Sequence, residues 1–230
     1  MALPKLNVPV YETILPSTES VIKFRPFLVK EEKLLLTALE DGSESSMMQA
    51  IKKIIQNCVQ GNIDVDKLPL FDVEYLFLRL RAKSVGEEST IGIKCTECDS
   101  STEVSINMEE IEVTKPEGHN KKIMISDDVG VMMSYPVITT SGIIGKDGME
   151  ITKNCIKMIF TGEETHERGS FTDKELDDFL ESMESKQFAK ITNFFETMPK
   201  LQHTVNFNCI SCKKENLVTL EGLDSFFGSA

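Results

Sequence analysis

Four of the chain's cysteines stand in two matched pairs, Cys95-Thr96-Glu97-Cys98 and Cys209-Ile210-Ser211-Cys212. No other feature constrains the fold as much. A Cys-x-x-Cys loop turns both sulfurs toward one cation at about 2.3 Å each, and two such loops supply the four soft ligands of a closed tetrahedral zinc site. The flanks suit that role. Residues 89–94 and 102–108 are strand-like around the first pair, and 203–208 and 216–220 are strand-like around the second. Each pair is therefore predicted at the tip of a β-hairpin, and two hairpins sharing one metal make a zinc ribbon. A usual ribbon separates its pairs by ~15–20 residues, whereas residues 99–208 intervene here. The ribbon must be split, by a segment that leaves and returns beside itself as a packed unit. The expected cofactor is a structural Zn2+ held by Cys95, Cys98, Cys209 and Cys212. Such a closed site has no open position for water or substrate, so it contributes folding energy and no catalysis.

The cysteines admit other readings. Two independent redox motifs would each open a helix after a strand, but both pairs lie between strand-like segments. His203 precedes Cys209 and could substitute as a ligand, although a lone His beside a strand is more often structural. Cys58 and Cys155 fall on apolar faces of predicted helices, as small buried hydrophobes.

The charge balance limits partners. With 25 basic and 37 acidic residues the chain carries −12 and has a pI near 4.8, a field that repels nucleic-acid phosphates and anionic lipid. Around the first knuckle Lys94 faces Glu97, Asp99 and Glu103; around the second Lys213 and Lys214 are offset by Glu215 and Glu221. Four thiolates on a dication would add about −2. A phosphate-reading surface needs clustered Lys and Arg with aromatic platforms. A nucleic-acid-binding zinc ribbon, such as a transcription factor, is thus the alternative function, and the main expectation is no nucleic acid. No apolar run approaches the ~18 residues of a membrane span, and residues 1–7 lack a secretory apolar core. We expect no membrane association and a cytoplasmic origin, where thiols stay reduced.

Along the chain, residues 1–29 read as extended, with a strand over 21–25. Periodicity predicts helices over 30–40, 44–60 and 71–84, then strands at 121–126 and 130–135. Residues 139–148 read as a loop, 151–160 as a helix and 161–170 as a mobile polar loop. Thr172-Asp173-Lys174-Glu175 is a capping box that starts a helix running to about Met183, with another over 186–198 ended by Pro199. The expected class is α+β, predominantly helical, with a small antiparallel β unit forming the split four-cysteine zinc ribbon. The expected domains are an N-terminal arm and helical portion (1–88), the split ribbon (89–108 with 200–222), an inserted hairpin and helical cluster (109–199) and a tail (223–230). No phosphate loop, dinucleotide fingerprint, nucleophile elbow or H-E-x-x-H is present. Paired acids such as Asp127-Asp128 are adjacent and point apart, so none makes an acid–base couple. The chain is expected not to be an enzyme.

Several blocks carry a family likeness. The run Phe24-Arg25-Pro26-Phe27-Leu28-Val29-Lys30-Glu31-Glu32-Lys33 resembles the opening of the T4-like bacteriophage baseplate hub assembly proteins. Residues 67–78 and 80–87, Met133-Ser134-Tyr135-Pro136 and Leu223-Asp224-Ser225-Phe226-Phe227 are similar to that family too. The resemblance implies a non-enzymatic role in building the hub of a contractile-tail baseplate, as a hub subunit or as an assembly chaperone. It implies other hub, spike or tape-measure proteins as partners. The implied location is the host cytoplasm during assembly and, for a retained subunit, the virion tail. The sequence leaves oligomeric state open. Phe226 and Phe227, close to the chain end, are candidate partner-docking residues; the competing reading folds them back onto the core.

Overall fold

The computed structural model describes residues 6–61, 63–139, 142–143 and 148–227. The chain divides into two compact units, residues 1–114 with 200–230, and residues 115–199.

The first unit begins with a hairpin of β1 (Tyr11–Ile14) and β2 (Val21–Phe24), Tyr11 opposite Phe24. Helix α1 (Val29–Asp41) starts at Leu28, whose N–H donates to Glu31 Oε2 at 2.9 Å, and ends at Gly42, whose φ of 68° only glycine adopts without strain. Helix α2 (Glu44–Cys58) is capped by Ser43, which accepts the Ser46 N–H at 3.1 Å. Its Ile51, Ile54, Ile55 and Cys58 recur at helical spacing and are buried. The chain then straightens into β3 (Val59–Gln60) beside β2. Helix α3 (Leu70–Val85) buries Phe71, Val73, Leu76, Phe77, Leu78 and Leu80, so it is the centre of this unit. It also buries Asp72, which accepts the Ser17 N–H at 3.1 Å. Strands β4 (Glu88–Lys94) and β5 (Ser101–Asn107) form a long hairpin, followed by β6 (Glu112–Thr114). Arg79 of α3 holds the connection by donating to the carbonyls of Met108 and Ile111 at 3.0 and 2.9 Å.

In the second unit, β7 (Lys122–Met124) and β8 (Val129–Met133) form a hairpin, and Ile138–Thr139 (β9) pairs with Gly142–Ile143 (β10). Helix α4 (Gly148–Cys155) runs directly into β11 (Ile156–Thr161), which turns back as β12 (Glu164–Glu167). The antiparallel sheet order is β12-β11-β8-β7. Helices α5 (Asp173–Glu181) and α6 (Ser185–Thr197) complete the unit. Thr172 and Glu175 form the capping box that sequence predicts, Thr172 Oγ1 accepting the Glu175 N–H at 3.2 Å and Glu175 Oε2 accepting the Thr172 N–H at 2.7 Å. Val131, Met133, Ile156 and Ile159 on one sheet face pack with Cys155, Leu176, Leu180, Ile191 and Phe194 from the helices.

The chain re-enters the first unit as β13 (Lys200–Asn208), antiparallel to β6 with Lys200 opposite Thr114, so the departing and returning strands lie side by side. Strand β14 (Glu215–Glu221) pairs with β13, and a short helix α7 (Asp224–Phe227) follows.

The expectation of a predominantly helical molecule is overturned. Helix accounts for 39% and strand for 30%, a mixed α and β structure with several antiparallel sheets. Two segments show how the difference arises. Residues 151–160, predicted as one helix, end as a helix at Cys155 and continue as β11. A bulge between Ile156 and Met158 puts Ile156 and Ile159, three apart, on the same buried face, which imitates a helical period. Residues 161–170, predicted as a loop, contain β12, an edge strand whose residues are all exposed and therefore show no apolar alternation. Of the loop predicted at 139–148, residues 140–141 and 144–147 lie outside the described residues.

Candidate metal centre

Each cysteine pair lies where a β-ladder closes. Beyond the Lys94–Ser101 pair, the Cys95 N–H donates to Ser100 O at 3.0 Å and the Asp99 N–H to Cys95 O at 3.1 Å. Beyond the Asn208–Glu215 pair, the Cys209 N–H donates to Lys214 O at 2.9 Å and the Lys213 N–H to Cys209 O at 3.0 Å. Asp99 and Lys213 hold equivalent places and share a left-handed backbone, φ 54° and 62°. The two loops are therefore the same knuckle built twice.

The knuckles converge. The sulfurs of Cys95, Cys98, Cys209 and Cys212 all lie within 4.8 Å of one another. The close approaches join different loops, Cys95 to Cys212 at 3.7 Å and Cys98 to Cys209 at 3.6 Å. A tetrahedron with metal–sulfur bonds of about 2.3 Å has sulfur–sulfur edges of about 3.8 Å. A disulfide would need about 2.05 Å, and all four cysteines are free. The donor set thus fits a tetrahedral thiophilic cation. An independent redox motif would bring its own two sulfurs together, whereas these pairs cross between loops.

Electrostatics supports the same use. The Cys212 and Ser211 N–H groups lead in holding the Cys209 thiol down at about 5, against the opposing effect of burial. The Glu97 and Cys98 N–H groups lower Cys95 in the same way. At Cys212 the Lys214 N–H pulls down, but lost hydration and the three neighbouring sulfurs outweigh it and push the thiol up to about 12. The backbone favours thiolates here, and their mutual repulsion is what a central cation relieves.

Two buried polar residues tie the knuckles together, and sequence reasoning missed both. Asn216 is 2% exposed; its Oδ1 accepts the Thr96 N–H at 3.0 Å and its Nδ2 donates to Lys214 O at 2.8 Å. Thr102 is 5% exposed, and its Oγ1 accepts the Ile210 N–H at 3.3 Å. The pattern is reciprocal: the residue after the first Cys of each knuckle donates to a side chain in the exit strand of the other. Thr102 and Asn216 occupy equal offsets from Cys95 and Cys209, the one signal in the sequence that could have revealed them. Lys214 is ion-paired with Glu97 across the same junction. His203 lies in β13 opposite Leu220, outside the cluster of four cysteines.

The remaining predicted site residues stand apart. Phe226 is 1% exposed, which favours folding back onto the core, and the side chain of Phe227 lies outside the described residues. Cys58 and Cys155 are 1% exposed, and burial pushes their thiols up to about 11 and about 12.

Neither the curated proteins nor the solved structures provide a match to this chain. A family model matches residues 8–228, nearly the whole length including both knuckles, and the chain belongs to the T4 bacteriophage base plate protein family.

Proposed function

We propose that this base plate protein acts in assembly of the hub of a contractile tail, without catalysis, and that its split ribbon is clamped by one structural zinc. The convergence of four cysteine sulfurs within 4.8 Å, from loops far apart in the chain, carries the zinc reading. Family membership carries the baseplate role, and the resemblance of residues 24–36 and 67–87 to hub assembly proteins narrows it to the hub. A closed four-thiolate site supplies chain cross-linking and no reactive position. The proposed partners are other hub, spike or tape-measure proteins, met in the host cytoplasm during assembly. Among the described residues no helix is long and apolar enough to cross a membrane.

The test has two arms. Elemental analysis of purified protein is expected to give about one zinc per chain, with Cys95→Ser or Cys209→Ser each removing it entirely. Independent metal retention by either knuckle would refute a shared site. In a phage lacking the gene, supplied wild-type chain should restore hub assembly; normal hubs without it would refute the assembly role. Mass spectrometry of purified virions then separates a retained subunit from a transient chaperone.

A further inference from the structure

The sheet of the second unit has a packed face and an open one. Side chains alternate across a strand, so the register places Lys122, Met132, Met158 and Glu167 in one row on the open face, and Met124, Gly130, Phe160 and Thr165 in the next. Lys122, Met124, Thr165 and Glu167 are exposed, Met124 at 41%, and Met132, Met158 and Phe160 are half-buried. Phe160 lies across Gly130, where an added Cβ would come within 2.2 Å of its ring. The Lys122 ammonium sits over that ring, 4.7 Å from its centre. The result is a shallow Met-rich surface, a kind that adapts readily to a partner.

The charges at its two rims identify the partner. Lys122 stands on edge strand β7 and Glu167 on the opposite edge strand β12, in the same row. Neither side chain makes an ion pair among the described residues. We propose that this face pairs with the same face of a second copy of the chain, about a two-fold axis lying between the sheets and parallel to the strands. That operation sets β7 over the partner's β12 and β8 over the partner's β11. Lys122 then meets the partner's Glu167, and Met132 meets the partner's Met158, each contact occurring twice. The long lysine stem carries the ammonium from the Phe160 ring to the rim. The two-fold matches unlike charges, whereas rotation about the perpendicular in-plane axis would set Lys122 against the partner's Lys122.

The face spans four strands at ~4.8 Å and two rows of side chains, on the order of 300 Å2 per copy. This is below the ~800 Å2 per partner of a stable complex, so the pair is transient and concentration-dependent. Sedimentation equilibrium of the full chain from about 10 µM to about 1 mM tests it. A monomer–dimer equilibrium weakened by salt is expected. Lys122→Glu and Glu167→Lys should each raise the dissociation constant about tenfold or more, and the double exchange should restore it. If circular dichroism shows either reversal misfolded, Lys122→Gln and Glu167→Gln take their place, each weakening the dimer and removing its salt dependence. A monomer throughout that range, a dimer indifferent to these substitutions, or a double exchange as weak as the singles would overturn the proposal.

Discussion

Arg25 and Glu31 show why one conspicuous block of the sequence is built as it is. Glu31 is fully buried; burial would raise its carboxyl, but the Arg25 guanidinium at 3.1 Å and the Leu28 N–H hold it below the usual range. Arg25 also donates to Pro26 O and Asn57 O at 2.9 and 3.0 Å, so one cation joins β2, the start of α1 and the end of α2. Glu31→Gln leaves Arg25 short of its counter-charge and should cost about 3 kcal/mol, measured by urea unfolding. Glu74 behaves oppositely. Burial drives its carboxyl up to about 7; the Leu223 N–H at 3.4 Å opposes this, and Asp224 and Glu221 add to it. Between its ordinary value of 4.5 and about 7 the folded chain holds a proton that the unfolded chain has released. Stability should therefore fall as pH rises through that window, by at most about 3 kcal/mol. Glu74→Gln, still able to accept the Leu223 N–H, should abolish that decline in urea titrations from pH 5 to pH 8.

At the scale of elements, the open sheet face and the chain end make separate demands. Gly130 on β8 leaves the space that Phe160 fills, and an added Cβ would also come within 2.7 Å of Ile123 O. Gly130→Val should destabilise by about 2 kcal/mol or more, read as a lowered thermal midpoint. Helix α7 is held through Phe226 and Leu223, 1% and 5% exposed. Phe226→Ala should cost about 3–4 kcal/mol. Because Phe226 is core, truncation after Glu221 should lower the thermal transition as well as any docking, and an unchanged transition would revive the tail as a free peptide. At β11 and β12 the apolar pattern of the sequence has no meaning without the register of the sheet. At β11 a bulge turned strand spacing into apparent helix spacing, and at β12 an edge strand had no buried face to signal.

For the whole molecule, the proposed metal would be comparable to total stability. Structural zinc binds with roughly 10–16 kcal/mol, against a net folding free energy of about 5–15. Chelation should therefore collapse the first unit: near-complete loss of its amide-exchange protection is expected, reversed by added zinc. The second unit has its own core of Val131, Met133, Ile156, Ile159, Leu176 and Phe194, so its protection should persist. Loss of both together would mean that the two units unfold as one.

The four converging cysteines were legible as a candidate ligand set because their spacing is local. Two residues between cysteines fix a knuckle, and a tetrahedral thiolate site needs two knuckles however far apart they lie. The Thr172 capping box was legible for the same reason: Thr172 acts within three residues of itself. What held the knuckles together was not legible. Thr102 and Asn216 gain their roles by meeting the opposite hairpin, and Lys122 and Glu167 share a row through two intervening strands. Sequence by itself determined which side chains are available for metal chemistry, because spacing and polarity are properties of short segments. Tertiary structure alone decided their neighbours, because strand register and bulges arise from pairing between distant parts of the chain.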